Sequence, residues 1–177
     1  KASSLPWDNN PRDYSNQLQQ RDKYVYRVLA CDWGGGGDAK ISRKASREGG
    51  IETKISLTAL AVLGWLPNGR IDVIWGRRLL TPHDHMAEAA VCLDVYNKFN
   101  CDFLAHDYAG AGSLRETFLC QHGLPLDKIL PIAYVRAAAS NVMTFKPATD
   151  IHPRNYYTVD KTRSLLLSCA GIKTGRI

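Results

Sequence analysis

Nothing in this chain is apolar for long enough to cross a bilayer. No uninterrupted apolar run approaches the ~18 residues that a spanning helix needs. The first residues do not follow the order of a secretory leader. Cysteine is scarce and poorly spaced for structural work. The five cysteines sit singly on apolar segments, odd in number and without a CxxC pair. That argues against a disulfide framework and for a reducing, intracellular setting. His83, His85, Cys92, Cys101 and His106 fit no closed zinc pattern. The glycine run at 34–37 is not followed by Lys-Ser or Lys-Thr at the spacing of a phosphate-binding loop. Internal repeats and low-complexity tracts are absent.

What remains is an ordinary globular composition over 177 residues, enough for one domain with a single sizeable core. The net charge of +6 mildly favours a polyanionic partner. Residues 1–23 are polar, with Pro6, Pro11 and a Gln-rich patch, and read as a linker or surface arm. The domain is expected over 24–177. The start without Met and the stop at Gly175-Arg176-Ile177 read as a piece cut from a longer protein.

Periodicity and punctuation give the order of elements. Tyr24–Cys31 is apolar on both faces except for Arg27, as in a central strand. Ser56–Leu66 and Arg70–Arg78 are strands joined by the tight turn Pro67-Asn68-Gly69. Thr81-Pro82 opens a helix whose inner face is expected at Met86, Ala90 and Leu93. Cys101–His106 is a short strand, Ser113 caps a helix to about Gln121, and Ile129–Val135 is a fifth strand. Pro131 inside it argues for a sheet edge. Arg136–Thr158 reads as irregular. Asp160 reads as the cap of a third helix, with Val159, Leu166 and Ala170 inward. A strand–helix–strand crossover puts the fourth strand parallel to its partner, taken to be the first strand. The expected architecture is α/β: a mixed five-stranded sheet of order 3-2-1-4-5 flanked by helices, the topology of the ribonuclease H-like fold.

That order sets Asp32 and Asp107 at the ends of two adjacent strands. Neighbouring strands are ~4.8 Å apart, so two carboxylates at one level can share a metal ion or hold two. Oxygen ligands suit Mg²⁺ or Mn²⁺, and a pair of such ions can clamp the attacking and leaving oxygens of a phosphodiester. Each acid is followed by an aromatic residue and then glycine, in Asp32-Trp33-Gly34 and Asp107-Tyr108-Ala109-Gly110. His106 is a candidate outer partner of the metal ligands. Lys40, Arg43, Lys44, Arg47 and Lys54 crowd the polar loop after Asp32, and are candidates to clamp a DNA backbone through phosphate charge.

The stretches Ala30-Cys31-Asp32-Trp33-Gly34-Gly35-Gly36, Ala105-His106-Asp107-Tyr108-Ala109-Gly110 and Tyr157-Thr158-Val159-Asp160-Lys161-Thr162-Arg163 resemble the nuclease domain of the large terminase subunit of tailed bacteriophages. The resemblance runs from roughly Tyr24 to Ile177. It implies a metal-dependent endonuclease that cuts concatemeric double-stranded DNA, in the cytoplasm of the infected bacterial host. It also implies as partners a terminase ATPase domain, the small terminase subunit and the portal. Asp32 and Asp107 would be the first two metal-binding acids. The family's third acid lies after a further strand, and so is expected beyond Ile177. A piece without it is expected to hold metal weakly, or to cut poorly, or not to cut at all. Three other readings compete: a resolvase or transposase core, half of an actin-like ATPase, and a DNA-binding or assembly module that does not cut.

Overall fold

The computed structural model describes residues 21–34, 57–79, 85–110, 112–136 and 141–177. Its elements are β1 (Tyr26–Asp32), β2 (Ala59–Trp65), β3 (Ile71–Arg78), α1 (His85–Lys98), β4 (Phe103–Asp107), α2 (Gly112–Gln121), β5 (Ile129–Val135), β6 (Met143–Lys146), β7 (Tyr156–Asp160) and α3 (Lys161–Lys173). The strands form one mixed sheet in the order β3-β2-β1-β4-β5-β7-β6. β1 to β3 are an antiparallel meander. β4, β5 and β7 run parallel to β1, and β6 is antiparallel to β7.

The expected order 3-2-1-4-5 is therefore present, but the sheet has seven strands and not five. The extra two are β6, inside 136–158, and β7, which starts there and runs on to Asp160; that stretch reads as irregular because its polar residues and prolines mask two short strands. Met143–Lys146 lies at the sheet edge with Met143 and Phe145 exposed, so no alternation of buried and polar residues marks it. β5 is consequently an interior strand. Pro131 is tolerated there because pairing with β7 begins one residue later, at Ile132, so the missing N–H leaves no gap in that ladder.

Alternation along the strands sorts the two faces of the sheet. Leu29, Cys31, Leu60, Val62 and Leu104 point to one face and pack with Ala89, Cys92 and Val95 of α1 and Leu119 of α2. The inner face of α1 is thus Glu88, Ala89, Cys92 and Val95, while Met86 is 53 % exposed. The shift from the expected face has a cause. Glu88 is buried and paired, so the stripe that faces the core includes a charged residue.

The opposite face carries Ala30, Asp32, Ala59, Ala61, Ala105 and Asp107. Only α3 crosses it. The helix leaves β7 with Asp160 as N-cap, its carboxylate accepting the Arg163 N–H at 3.0 Å. The chain then reaches the far side of the sheet, where Ile71 of β3 donates its N–H to the Arg176 carbonyl at 2.7 Å. Five strand spacings are ~24 Å, and a helix of 13 residues spans ~20 Å, so helix and tail together bridge the sheet. Leu165, Leu166, Leu167 and Ile172 are all more than half exposed. The expected inward position of Leu166 is therefore not found. No described helix is long and apolar enough to cross a membrane.

Candidate metal centre

Asp32 and Asp107 emerge together because β1 and β4 are parallel and in register. Cys31 pairs with His106, and the two acids are the next residue on each strand. Both side chains fall on the face away from α1 and α2. Together they line a cleft of about 340 Å³ whose sheet wall includes Ile132 and Tyr134, and whose other wall is Lys161, Ser164, Leu165 and Ser168 of α3. A second hollow beside it has the two acids at its edge and a floor of small residues, among them Ala30, Ala61 and Ala105.

The Asp107 carboxylate is oriented by its own turn, since Oδ1 accepts the Ala109 N–H at 2.9 Å. The turn is tight. Gly110 has φ 59, and a Cβ at Gly112 would run into the Asp107 carbonyl. Glycine at 112 lets the start of α2 close on the end of β4. The charge of the pair is felt by its neighbour. The Tyr134 hydroxyl is pushed above its usual pKa by burial first, and then by the Asp32 and Asp107 carboxylates. The Lys161 ammonium lies 5.6 Å from the Tyr134 ring centroid.

This donor set fits a hard divalent cation. It offers oxygen ligands, on adjacent strands, in a spot where two like charges favour a positive ion. Among the described residues no third His, Cys, Asp or Glu joins them to make a group of three. Asp160 is not a substitute, because its oxygens are engaged by the Arg163 backbone N–H and guanidinium.

His106 points the other way, into the core, with 1 % of its surface exposed. The Trp33 indole N–H donates to His106 Nδ1 at 3.0 Å. An indole can only donate, so this assigns the proton to Nε2, which donates to Glu116 Oε2 at 3.1 Å. Trp33 is itself buried and does not line the cleft. The basic candidates Lys40, Arg43, Lys44, Arg47 and Lys54 lie outside the described residues.

The polar groups beneath the acids were not foreseen. Arg115, Glu88 and Glu116 are buried. Arg115 donates from Nε and Nη2 to Glu88 Oε2, at 3.0 and 2.7 Å, and from Nη2 to the Gly34 carbonyl at 3.0 Å. Thr58 Oγ1 accepts the Gly34 N–H at 2.8 Å and donates to Glu88 Oε1 at 2.7 Å. Both sides of the Gly34 peptide backbone are thus held. In the sequence a Glu and an Arg on separate helices carry no mark of burial.

Glu116 also accepts from Arg154 Nε at 2.8 Å. Burial alone would raise its pKa, but the hydrogen bonds from His106 and Arg154 and the Arg154 charge outweigh it, and the net shift is downward from 4.5. A lowered carboxylate pKa adds stability above the unfolded value and loses it as pH falls through the folded one. The wild-type chain is expected to lose this contribution below about pH 4.5. Glu116→Gln should show a flatter acid limb in melts taken from pH 7 to pH 3. An unchanged limb would mean that Glu116 is not ionised in the folded chain.

Compared with family models, curated proteins and solved structures, the chain finds no match.

Proposed function

We propose that this chain is a divalent-metal-dependent endonuclease domain of ribonuclease H-like topology, acting on DNA in the manner of a phage terminase nuclease. The observation that carries the reading is the placement of Asp32 and Asp107: two carboxylates, side by side on parallel strand ends, facing one cleft. When bound, Mg²⁺ or Mn²⁺ would activate the attacking oxygen and neutralise charge on the scissile phosphate. Asp32 and Asp107 would hold the ion. Lys161, on the α3 wall of the same cleft, would offer the phosphate a point charge. Leu165 and the alanine floor give the sugar an apolar surface. The meander followed by parallel β4 and β5 supports the ribonuclease H-like assignment. A double-stranded DNA substrate, the ATPase domain, small subunit and portal as partners, and the cytoplasm of an infected bacterium as the setting all belong to this proposal.

The test is cleavage of supercoiled plasmid with Mn²⁺, Mg²⁺ or EDTA. Nicking is expected with either metal, and none with EDTA. Cutting that persists in EDTA would exclude the two-acid metal site as its cause.

A second reading is favoured by one observation, the lack of a third metal-ligating side chain beside the pair among the described residues. On that reading the domain binds DNA without cutting it. Metal-independent DNA binding with no nicking, even in a chain extended beyond Ile177, would select it.

A further inference from the structure

We infer that the hydrogen bond between Trp33 and His106 is a positioning device that sets the spacing of Asp32 and Asp107, and with it the affinity of the site for its divalent ion. The inference rests on the reading of the two acids as a metal site.

Trp33 follows one acid and His106 precedes the other. A single bond of 3.0 Å therefore ties the two strand ends together on the sheet face opposite the carboxylates. The pairing of β1 with β4 ends at Cys31 and His106, one residue before the acids, which pair outward instead, Asp32 with Ala59 and Asp107 with Ile132. Both partners of the bond are themselves held. The Arg115 guanidinium lies over the Trp33 ring, 5.0 Å from its centroid, and grips the Gly34 carbonyl just beyond. Arg115 is in turn fixed by Glu88 of α1. On the other side, Glu116 of α2 takes the His106 Nε2 proton and is anchored by Arg154. A continuous chain, Glu88–Arg115–Trp33–His106–Glu116–Arg154, buried up to the half-buried Arg154, thus runs beneath both acids.

Its charges are arranged in two opposite pairs with a neutral Trp–His link between them. Two carboxylates forced close together repel, and in the absence of a cation their strand ends would spread. The link opposes that spreading, so the metal meets a site already at its working spacing. A partner that orients a metal ligand is typically worth 10–100-fold in metal affinity.

The variant that isolates the bond is Trp33→Phe, which keeps an aromatic ring against Arg115 and removes the indole N–H. Mn²⁺ binding is measured without substrate, by electron paramagnetic resonance of the free ion. The dissociation constant is expected to rise by about 10–100-fold, and plasmid cleavage to recover as Mn²⁺ is raised. Val95→Ala is the control. It loosens the same core from α1 without touching the chain of polar groups, and is expected to lower the melting temperature and leave Mn²⁺ affinity unchanged.

An unaltered Mn²⁺ affinity in folded Trp33→Phe would overturn the inference. An equal loss in Val95→Ala would do so too, because general softening would then explain it. If Trp33→Phe does not fold, the Trp33 indole ¹H–¹⁵N resonance of the wild-type chain is followed during Mg²⁺ titration. It is expected to move with occupancy of the site, and an unmoved resonance overturns the inference. A wild-type chain whose Mn²⁺ binding does not depend on Asp32 and Asp107 would fail the metal-site reading itself, whatever Trp33→Phe does.

Discussion

Asp32→Asn and Asp107→Asn are each expected to reduce metal-dependent DNA cleavage by at least about 10²–10³-fold, the range found when one partner of transition-state charge is lost. The double variant should be little worse than either single one, since the two carboxylates act as a unit. Neither change should cost the fold. Both side chains face the cleft rather than the helical core, and Asn preserves shape. At position 107 an amide oxygen can still accept the Ala109 N–H that the carboxylate takes now. The metal-free variants should even melt slightly higher than the wild-type chain, because one of two like charges on adjacent strand ends has been removed. Plasmid cleavage with Mn²⁺ and thermal melts in EDTA check both halves of this expectation. Full cleavage by either folded variant would refute the assignment of that acid.

The second large effect concerns stability. Glu88→Ala, or Arg115→Met alone, is expected to destabilise the chain by about 3–5 kcal/mol, the usual cost of leaving one member of a buried ion pair without its partner. For a domain of this size that is a fall of roughly 6–20 °C in melting temperature. The cost is high because Arg115 serves two acceptors at once, Glu88 and the Gly34 carbonyl, and Glu88 also takes the Thr58 hydroxyl that receives the Gly34 N–H. Removing either residue leaves buried donors or acceptors unmatched around Gly34. Arg115→Lys should not restore stability, because an ammonium lacks the planar fork that reaches Glu88 and the Gly34 carbonyl together. Replacing both members with Glu88→Met and Arg115→Leu is expected to be milder than either single loss. Melts of the four variants at pH 7 decide this. A single variant that melts like the wild-type chain would mean that the pair is not formed in solution.

The two changes act on opposite faces of one structure. Asp32 and Asp107 sit on the small-residue face beneath α3, while Glu88 and Arg115 sit between the sheet and the other two helices. A loss of cutting without a loss of melting temperature belongs to the first pair. For the second pair, the fall in melting temperature is the primary effect.

The pattern of residues alone was sufficient for the meander, the crossover, the order 3-2-1-4-5 and the meeting of Asp32 with Asp107. These follow from local signals. Asn68-Gly69 sets a hairpin turn, the apolar runs have strand length, and a helical crossover makes β4 parallel to β1. Asp160 as a cap was legible for the same reason, because capping is decided within three residues.

Tertiary structure alone decided the remainder. β6 and β7 are too short and too polar to stand out, and exist because β7 pairs with β5 and β6 pairs with β7. Pro131 marks no edge, since whether a missing N–H matters depends on which neighbour begins where. The inner faces of α1 and α3 departed from the apolar stripe. On α1 a buried Glu88 is matched by Arg115 from another helix, and α3 crosses the sheet with its leucines exposed. The polar chain beneath the acids belongs to the same class. A buried charge is stable only with a partner, and its partner lies 27 residues away from Glu88 in the case of Arg115 and 38 residues away from Glu116 in the case of Arg154. Sequence periodicity reads neighbours along the chain, and cannot register a pairing that exists only once the chain has folded.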